Sequence, residues 1–282
     1  MTRAGTSRTL PHIPARAMAG VEQIEAGVGR SVDGMHVPEV LLDQDGVLAT
    51  GALAILADTA LGTAVVSTLP DEMGMVTSHL HLELLRPVPP GTITLRATGE
   101  QRGIQGRFGI GGGDITTADG VPLALATIGA VLLPRRRSAG QPLDPHPAVS
   151  IAGRRHRLIA DAPVHDLLGT RVRRADPGGA RLLIPAARRL ANSAGGVHGG
   201  VGVLLGERAL DVALRAAVDD ERSLRPVELR AAFLRPIAAD GGLIECRATV
   251  MHLGRRLAAV RGEVRDHEGR PAVLVDATYV GP

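Results

Sequence analysis

Lysine is missing altogether: every one of the 32 basic residues is arginine, which removes both a Schiff-base lysine and a phosphate-loop lysine from the available chemistry. Tryptophan is absent too, and one Tyr and two Phe are the only other large aromatics. The core must therefore be built from Leu, Val, Ala and Ile, and the aromatic platforms that stack nucleic-acid bases are lacking, so no nucleic-acid partner is expected. A single cysteine, Cys246, excludes an internal disulfide framework and a multi-cysteine zinc site. Lying in the β-rich stretch Leu243–Val250, it reads as a small buried apolar residue. No apolar run approaches the length of a membrane span, and the N-terminus has Arg and turn-formers without a sustained apolar stretch; the expectation is a cytoplasmic protein with no membrane partner.

What is there is a chain of 282 residues, 44% hydrophobic, long enough for two ordinary domains with packed cores. The net charge is only +3, so its basic isoelectric point reflects arginine chemistry and not a large excess of charge.

The chain repeats itself. Leu84-Leu85-Arg86-Pro87-Val88 returns as Phe233-Leu234-Arg235-Pro236-Ile237, 149 positions on. The offset holds within a residue or so for Gly106-Arg107 against Gly254-Arg255 and for Asp119-Gly120 against Glu268-Gly269. Several matches in one order indicate duplication. In each half a Gly-rich loop leads into an Ala/Leu-rich helix, Gly51 to about Ser67 and Gly200 to about Val218, apolar on most faces and hence buried. β-rich segments follow: Ser78–Leu85, Thr92–Gly99, Arg107–Thr117 and Leu123–Leu133, then Glu228–Leu234, Leu243–His252, Leu257–Asp266 and Ala272–Val280. One buried helix per four or five antiparallel strands predicts an α+β fold, a sheet wrapped around a central helix. The expected organisation is an N-terminal extension over 1–20, a first domain over 21–134, a Pro/Arg-rich linker over 135–150 and a second domain over 151–282. Arg135-Arg136-Arg137 reads as solvated linker before it reads as a phosphate patch.

The sharpest local signal is Asn192-Ser193-Ala194-Gly195-Gly196-Val197-His198-Gly199-Gly200, immediately before the second helix. The first N–H groups of a helix are unpaired, and glycines let a ligand carbonyl approach them, which is how an oxyanion hole is made. A glycine-rich turn with Asn and His as caps is the plainer reading of the same residues. In the first half Asp58 follows Leu53, Ile55 and Leu56 on a helix that must be largely buried, where a carboxylate needs a partner or a use. His79 and His81 share one face of a strand without a third ligand, so they read as ordinary strand residues and no metal is expected.

The spacing Asn-x-x-Gly-x-x-His-Gly-Gly with an acid, Glu207, nine positions after His198 resembles the phenylacetate-pathway (PaaI-like) type of hotdog thioesterase within the thioesterase superfamily. Gly51–Gly62, with Leu56-Ala57-Asp58, looks like that family's helix, and Asp58 and Glu207 are themselves 149 apart. The resemblance covers about 21–133 and 167–280. It implies two tandem hotdog domains pairing as a pseudo-dimer, with active sites that each draw on both halves, an acyl-coenzyme A substrate whose coenzyme A is the only cofactor-like group, and further homo-oligomerisation. Carried over, one site comprises Asn192, His198 and Gly199 from the second half with Asp58 and Thr77 from the first. The reciprocal site would hold Asp43, Ala49 and Thr50 with Glu207 and Pro226; it lacks the His, the Gly and the hydroxyl.

The implied reaction is thioester hydrolysis, with Gly199 N–H on the carbonyl oxygen and Asp58 either activating water or attacking directly. Asn192 would position the water, His198 would orient the thioester or its loop, and Thr77 would bond near Asp58. There is no Gly-x-Ser-x-Gly elbow and no phosphate loop, and Gly109–Gly113 lies inside a strand-like segment where a dinucleotide fingerprint would open a helix. The rival from another class is a non-catalytic acyl-CoA binding module, which would not need Asp58; a structural partner of other hotdog proteins would bind no acyl-CoA at all.

Overall fold

A computed structural model of the protein describes residues 12–135, 156–218 and 224–281. Beyond Arg135, the expected linker lies outside them. The first half runs α1 (Pro14–Met18), β1 (Val21–Gly27), β2 (Arg30–His36), α2 (Ala52–Val66), β3 (Met73–Leu84), β4 (Thr94–Gln105), β5 (Phe108–Thr117) and β6 (Pro122–Pro134). The second repeats it as α3 (Pro163–Leu168), β7 (Arg171–Asp176), β8 (Gly179–Pro185), α4 (Gly199–Ala217), β9 (Arg225–Phe233), β10 (Leu243–Leu253), β11 (Leu257–Arg265) and β12 (Pro271–Val280).

All strands join one antiparallel sheet in the order β1-β2-β4-β5-β6-β3-β9-β12-β11-β10-β8-β7, which reads the same from either end once repeats are exchanged. The halves meet where β3 pairs with β9, His81 opposite Arg230 and Glu83 opposite Glu228. This is the expected fold: two tandem hotdogs, each an antiparallel sheet with a central helix. Among the described residues each half has six strands where the sequence suggested four or five. The hairpin β1–β2 escaped because β1 is mostly exposed and β2 buries Ser31 and Asp33, so neither strand presents apolar alternation; β8 does bury Ala180, Leu182 and Ile184 in alternation, but its partner β7 is mostly Arg and Asp.

Only Asp58, Thr63 and Val66 of α2 escape full burial, as an all-round apolar helix requires. It packs against α4, and small residues set the closeness of that contact: a β-carbon on Gly200 would overlap the backbone of Ala54 and Ile55, and one on Gly51 would lie 2.6 Å from Leu204 Cα. The carboxylate of α2 is thereby brought to the first turn of α4.

Candidate active site

The 192–200 loop is folded by its own side chain. Asn192 Oδ1 accepts hydrogen bonds from Ala194 N–H (2.9 Å) and Gly196 N–H (3.1 Å), an Asx-type turn, and Gly195 takes the left-handed conformation (φ 83°) that closes it. His198 N–H donates to Leu190 O at 2.9 Å, and His198, in extended conformation, is the N-cap of α4. Gly199 is then the first helical residue, and among the described residues its N–H is assigned no acceptor, as expected at a helix start.

Asp58 reaches this helix start from the other half. Its Oδ2 accepts from Gly200 N–H at 3.0 Å, and its Oδ1 accepts from the Thr77 hydroxyl at 2.8 Å. The helix dipole at the start of α4 favours a carboxylate there. His198 Nδ1 stands 3.3 Å from Asp58 Oδ2 but off the line of a hydrogen bond, and that buried nitrogen has no other partner among the described residues. Both side chains are 8% exposed. Burial lowers the His198 pKa below its ordinary value, the Asp58 carboxylate pulls it up, and the Arg16 guanidinium pushes it further down. The imidazole is thus neutral at pH 7.

Thr77 owes its position to a β-bulge. The register of β3 on β6 shifts between Thr77 and His79, leaving Ser78 as the extra residue. Without the shift Thr77 would share the face of His79 and His81, opposite to buried Leu80 and Leu82; with it, Thr77 faces inward to Asp58 while both leucines stay in the core.

Four of the five expected site residues, Asp58, Thr77, His198 and Gly199, therefore converge on one locus, and Asn192 lies in the loop that leads into it. Asn192 Oδ1 is committed to shaping the loop, which leaves its Nδ2 to meet a water.

At the reciprocal locus Asp43 Oδ1 accepts from Asp45 N–H (2.9 Å) and Val47 N–H (3.1 Å), the same turn at the same spacing. Gly51 N–H bonds Glu207 as Gly200 N–H bonds Asp58. A carboxylate capping the partner helix is thus common to both loci, and His198 and Thr77 belong to one. Arg208, 2% exposed, lies instead against Glu207, with Nε 2.7 Å from Oε2 and a second short contact through Nη2. Its Nη1 is 3.7 Å from Asp211. Burial pushes the Glu207 carboxyl up and works against the Arg208 charge, but the surrounding carboxylates outweigh it and hold the guanidinium protonated.

His81 pairs with Glu228 at 3.1 Å and His79 stacks on Phe108, both on the outer face of the sheet. Two surface grooves of about 300 and 410 Å³ open there around His81 and Thr127, and neither touches Asp58 or His198. Cys246 is fully buried, and burial drives its thiol pKa far up, so it is inert packing. Among the described residues no helix is long and apolar enough to cross a membrane. The residues sequence reasoning missed are Arg16 and Asp33, which form a buried ion pair of 3.1 Å beside the loop. A lone Asp in a seven-residue strand gave no signal of it.

The model of the thioesterase superfamily matches residues 45–103 and 194–273, one segment in each half and together containing Asp58, Thr77, His198 and Gly199. A Pasteurella multocida protein, PM0788, assigned as an esterase by name only, is 29% identical over 91 residues; the match takes in 32% of this chain and spans 64% of that protein. Among solved structures, the acyl-CoA thioesterase II TesB2 of Mycobacterium marinum superposes with a TM-score of 0.61 at 12% identity, over 95% of this chain and 96% of that one. The tesB protein of Mycobacterium avium subsp. paratuberculosis gives 0.63 at 13% identity, over 93% and 96%. At such identities the likeness shows the shared double-hotdog fold. With the family match falling once in each half of that fold, this chain belongs to the thioesterase superfamily, whose chemistry is the hydrolysis of thioesters.

Proposed function

We propose that the protein is an acyl-CoA thioesterase of the phenylacetate-pathway type, releasing free acid and coenzyme A at one composite site per chain, the Glu207 locus having lost its activity. The observation that carries this reading is the convergence of Asp58, Thr77 and His198 on the first turn of α4, whereas the reciprocal locus keeps the loop turn and the capping carboxylate without the imidazole and the hydroxyl. The thioester carbonyl oxygen accepts from Gly199 N–H, which stabilises the oxyanion as it forms. In one route Asp58 takes a proton from water, the water oxygen adds to the carbonyl carbon, and the tetrahedral intermediate expels coenzyme A thiolate, which takes up the proton. In the other, Asp58 attacks, thiolate leaves, and water opens the mixed anhydride; the arrangement is compatible with both. Thr77 fixes Oδ1, Asn192 Nδ2 orients the water, and neutral His198 orients the thioester beside Asp58 without forming an ion pair that would quench it. The chemistry calls for no metal and no cofactor beyond the coenzyme A of the substrate. Double-hotdog chains of this kind would associate further as homo-oligomers in the cytoplasm.

The test is free-thiol release from an acyl-CoA panel, with acyl carrier protein thioesters alongside, by wild type and Asp58→Ala. Turnover of acyl-CoA that Asp58→Ala abolishes upholds the reading. Thermal stabilisation by acyl-CoA without turnover would replace it with the binding-module reading, because a specific ligand at 100 times its Kd adds about 2.7 kcal/mol to stability.

A further inference from the structure

Asp58, Gly62 and Val66 follow one another along α2 at one-turn spacing, and Asp58, Thr63 and Val66 are the residues of that helix that escape full burial. The face that carries the carboxylate is therefore the one that is not sealed. Gly62 lies in the middle of it, although glycine is a poor choice inside a helix unless something needs the space. Close packing accounts for glycines of α4: a β-carbon on Gly200 would overlap the backbone of α2, and one on Gly206 would lie 2.5 Å from Val275 Cγ2. Gly62 is different. Outside its own helix, a β-carbon there would meet only the Met75 methyl, at an ordinary 3.5 Å. Met75 is half-buried, two residues before Thr77 on the same inward face of β3, and a Met side chain is unbranched and adaptable.

The repeat shows what fills the same place at the other locus. The residues 149 positions after Gly62 and Val66 are Asp211 and Arg215, and Asp45 corresponds to Ala194. Asp211 Oδ2 is 3.7 Å from Arg208 Nη1 and 3.1 Å from Arg215 Nε, and Arg215 Nη2 is 2.6 Å from Asp45 Oδ2. This chain of charges runs along α4 from Glu207 and ties the helix to the 43–47 turn of the other half. At the Asp58 locus the matching positions are Gly62, Val66 and Ala194, all uncharged and apolar or without a side chain. Thr59, in place of Arg208, donates its hydroxyl to Ile55 O at 2.8 Å within its own helix. Where ions fill one locus, small apolar groups line the other. At the inner end stands His198 Nδ1, buried and without a hydrogen-bond partner among the described residues.

Resting on the composite site proposed above, we infer that this face of α2 receives the acyl group as an extended aliphatic chain, running from Asp58 over Gly62 towards Val66, with Met75 as the yielding wall that limits its length. Eight residues of α-helix span about 12 Å, which accommodates a chain of medium length once Met75 turns aside. The lining suits an alkyl chain and offers nothing to the phosphates of coenzyme A, so the coenzyme A moiety leaves the site in another direction.

The experiment measures kcat/KM of the full chain for acetyl-, hexanoyl- and decanoyl-CoA by free-thiol release, in wild type, Gly62→Leu and Met75→Ala. Melting temperatures with the unreactive thioether analogues of the same three compounds are read alongside. A general structural defect slows all substrates alike, so the readout is the decanoyl-to-acetyl ratio of kcat/KM. Gly62→Leu should lower that ratio at least about tenfold, since even one methylene in an apolar pocket is worth about that much, and Met75→Ala should raise it. Should Gly62→Leu not fold, Val66→Phe at the far end of the face carries the same readout. Folded variants that leave the ratio unmoved, or a wild type that turns over acetyl-CoA alone, overturn the inference. Turnover with an unmoved ratio sinks the acyl path and leaves the thioesterase reading standing. Stabilisation that grows with chain length and is lost in Gly62→Leu, in a protein without turnover, does the reverse.

Discussion

Replacing Arg208 by methionine strands the Glu207 carboxylate. Arg208 and Glu207 side chains are 2% and 5% exposed, and the guanidinium is the only cation in contact with that carboxylate among the described residues. Met fills much of the volume of the alkyl stem, so the loss is mainly electrostatic, and breaking such a pair by removing one partner costs about 3–5 kcal/mol. That is a large share of the roughly 5–15 kcal/mol that holds an ordinary protein folded. Urea unfolding at pH 7 followed by circular dichroism at 222 nm measures it, tryptophan fluorescence being impossible in this sequence. The cost is also pH-dependent. With Arg208 gone, the upward push of burial and of the Asp211 charge on Glu207 is opposed only by the Gly51 N–H bond, so the folded pKa lies further above the unfolded one near 4.5. The penalty is then fully expressed above the folded pKa and fades as the pH falls towards 4.5. Adding Glu207→Gln in the same chain should recover most of the loss. A cost below about 1 kcal/mol, the size of a solvent-exposed pair, would refute the view that Arg208 neutralises a sealed former site.

Thr77→Val removes the hydroxyl that donates to Asp58 Oδ1 and should lower kcat by about tenfold to a hundredfold with little change in KM, since bonds to charged groups are worth about 1.5–3 kcal/mol. Gly200→Ala forces a β-carbon into the backbone of α2 and should cost about 2–3 kcal/mol in urea unfolding, whereas Gly27→Ala, with open space around it, should stay within about 0.5 kcal/mol. The pKa of His198 is lower folded than unfolded, so the unfolded chain binds more protons and stability drops as pH falls below about 6.5. In thermal scans between pH 7.5 and 5, His198→Gln should lose less stability than wild type, and an equal loss would contradict the assignment.

The repeat, the two central helices and the third to sixth strands of each half were legible because duplication at 149 positions and apolar patterning survive in the sequence. Asp58, Thr77 and the 192–199 loop were legible as a set only through resemblance to a family, since each alone has a structural reading as good. The bulge at Ser78 that turns Thr77 inward is a register effect with no composition signal. Arg16 was placed in an N-terminal extension outside the resemblance, yet α1 docks beside the loop; a five-residue helix carries too little periodicity to be read. The alternative use of Glu207 was hidden for the opposite reason: the acid matched the pattern, and only the neighbouring Arg208 folded against it shows the charge already spent.

The most direct test of the central claim is steady-state hydrolysis of one good acyl-CoA substrate by Asp58→Asn and Glu207→Gln, each against wild type. One composite site at Asp58 predicts that Asp58→Asn loses at least about a thousandfold in kcat, on the scale of losing a general base or nucleophile, while Glu207→Gln stays within about twofold. The reverse pattern, or comparable losses in both variants, would contradict it.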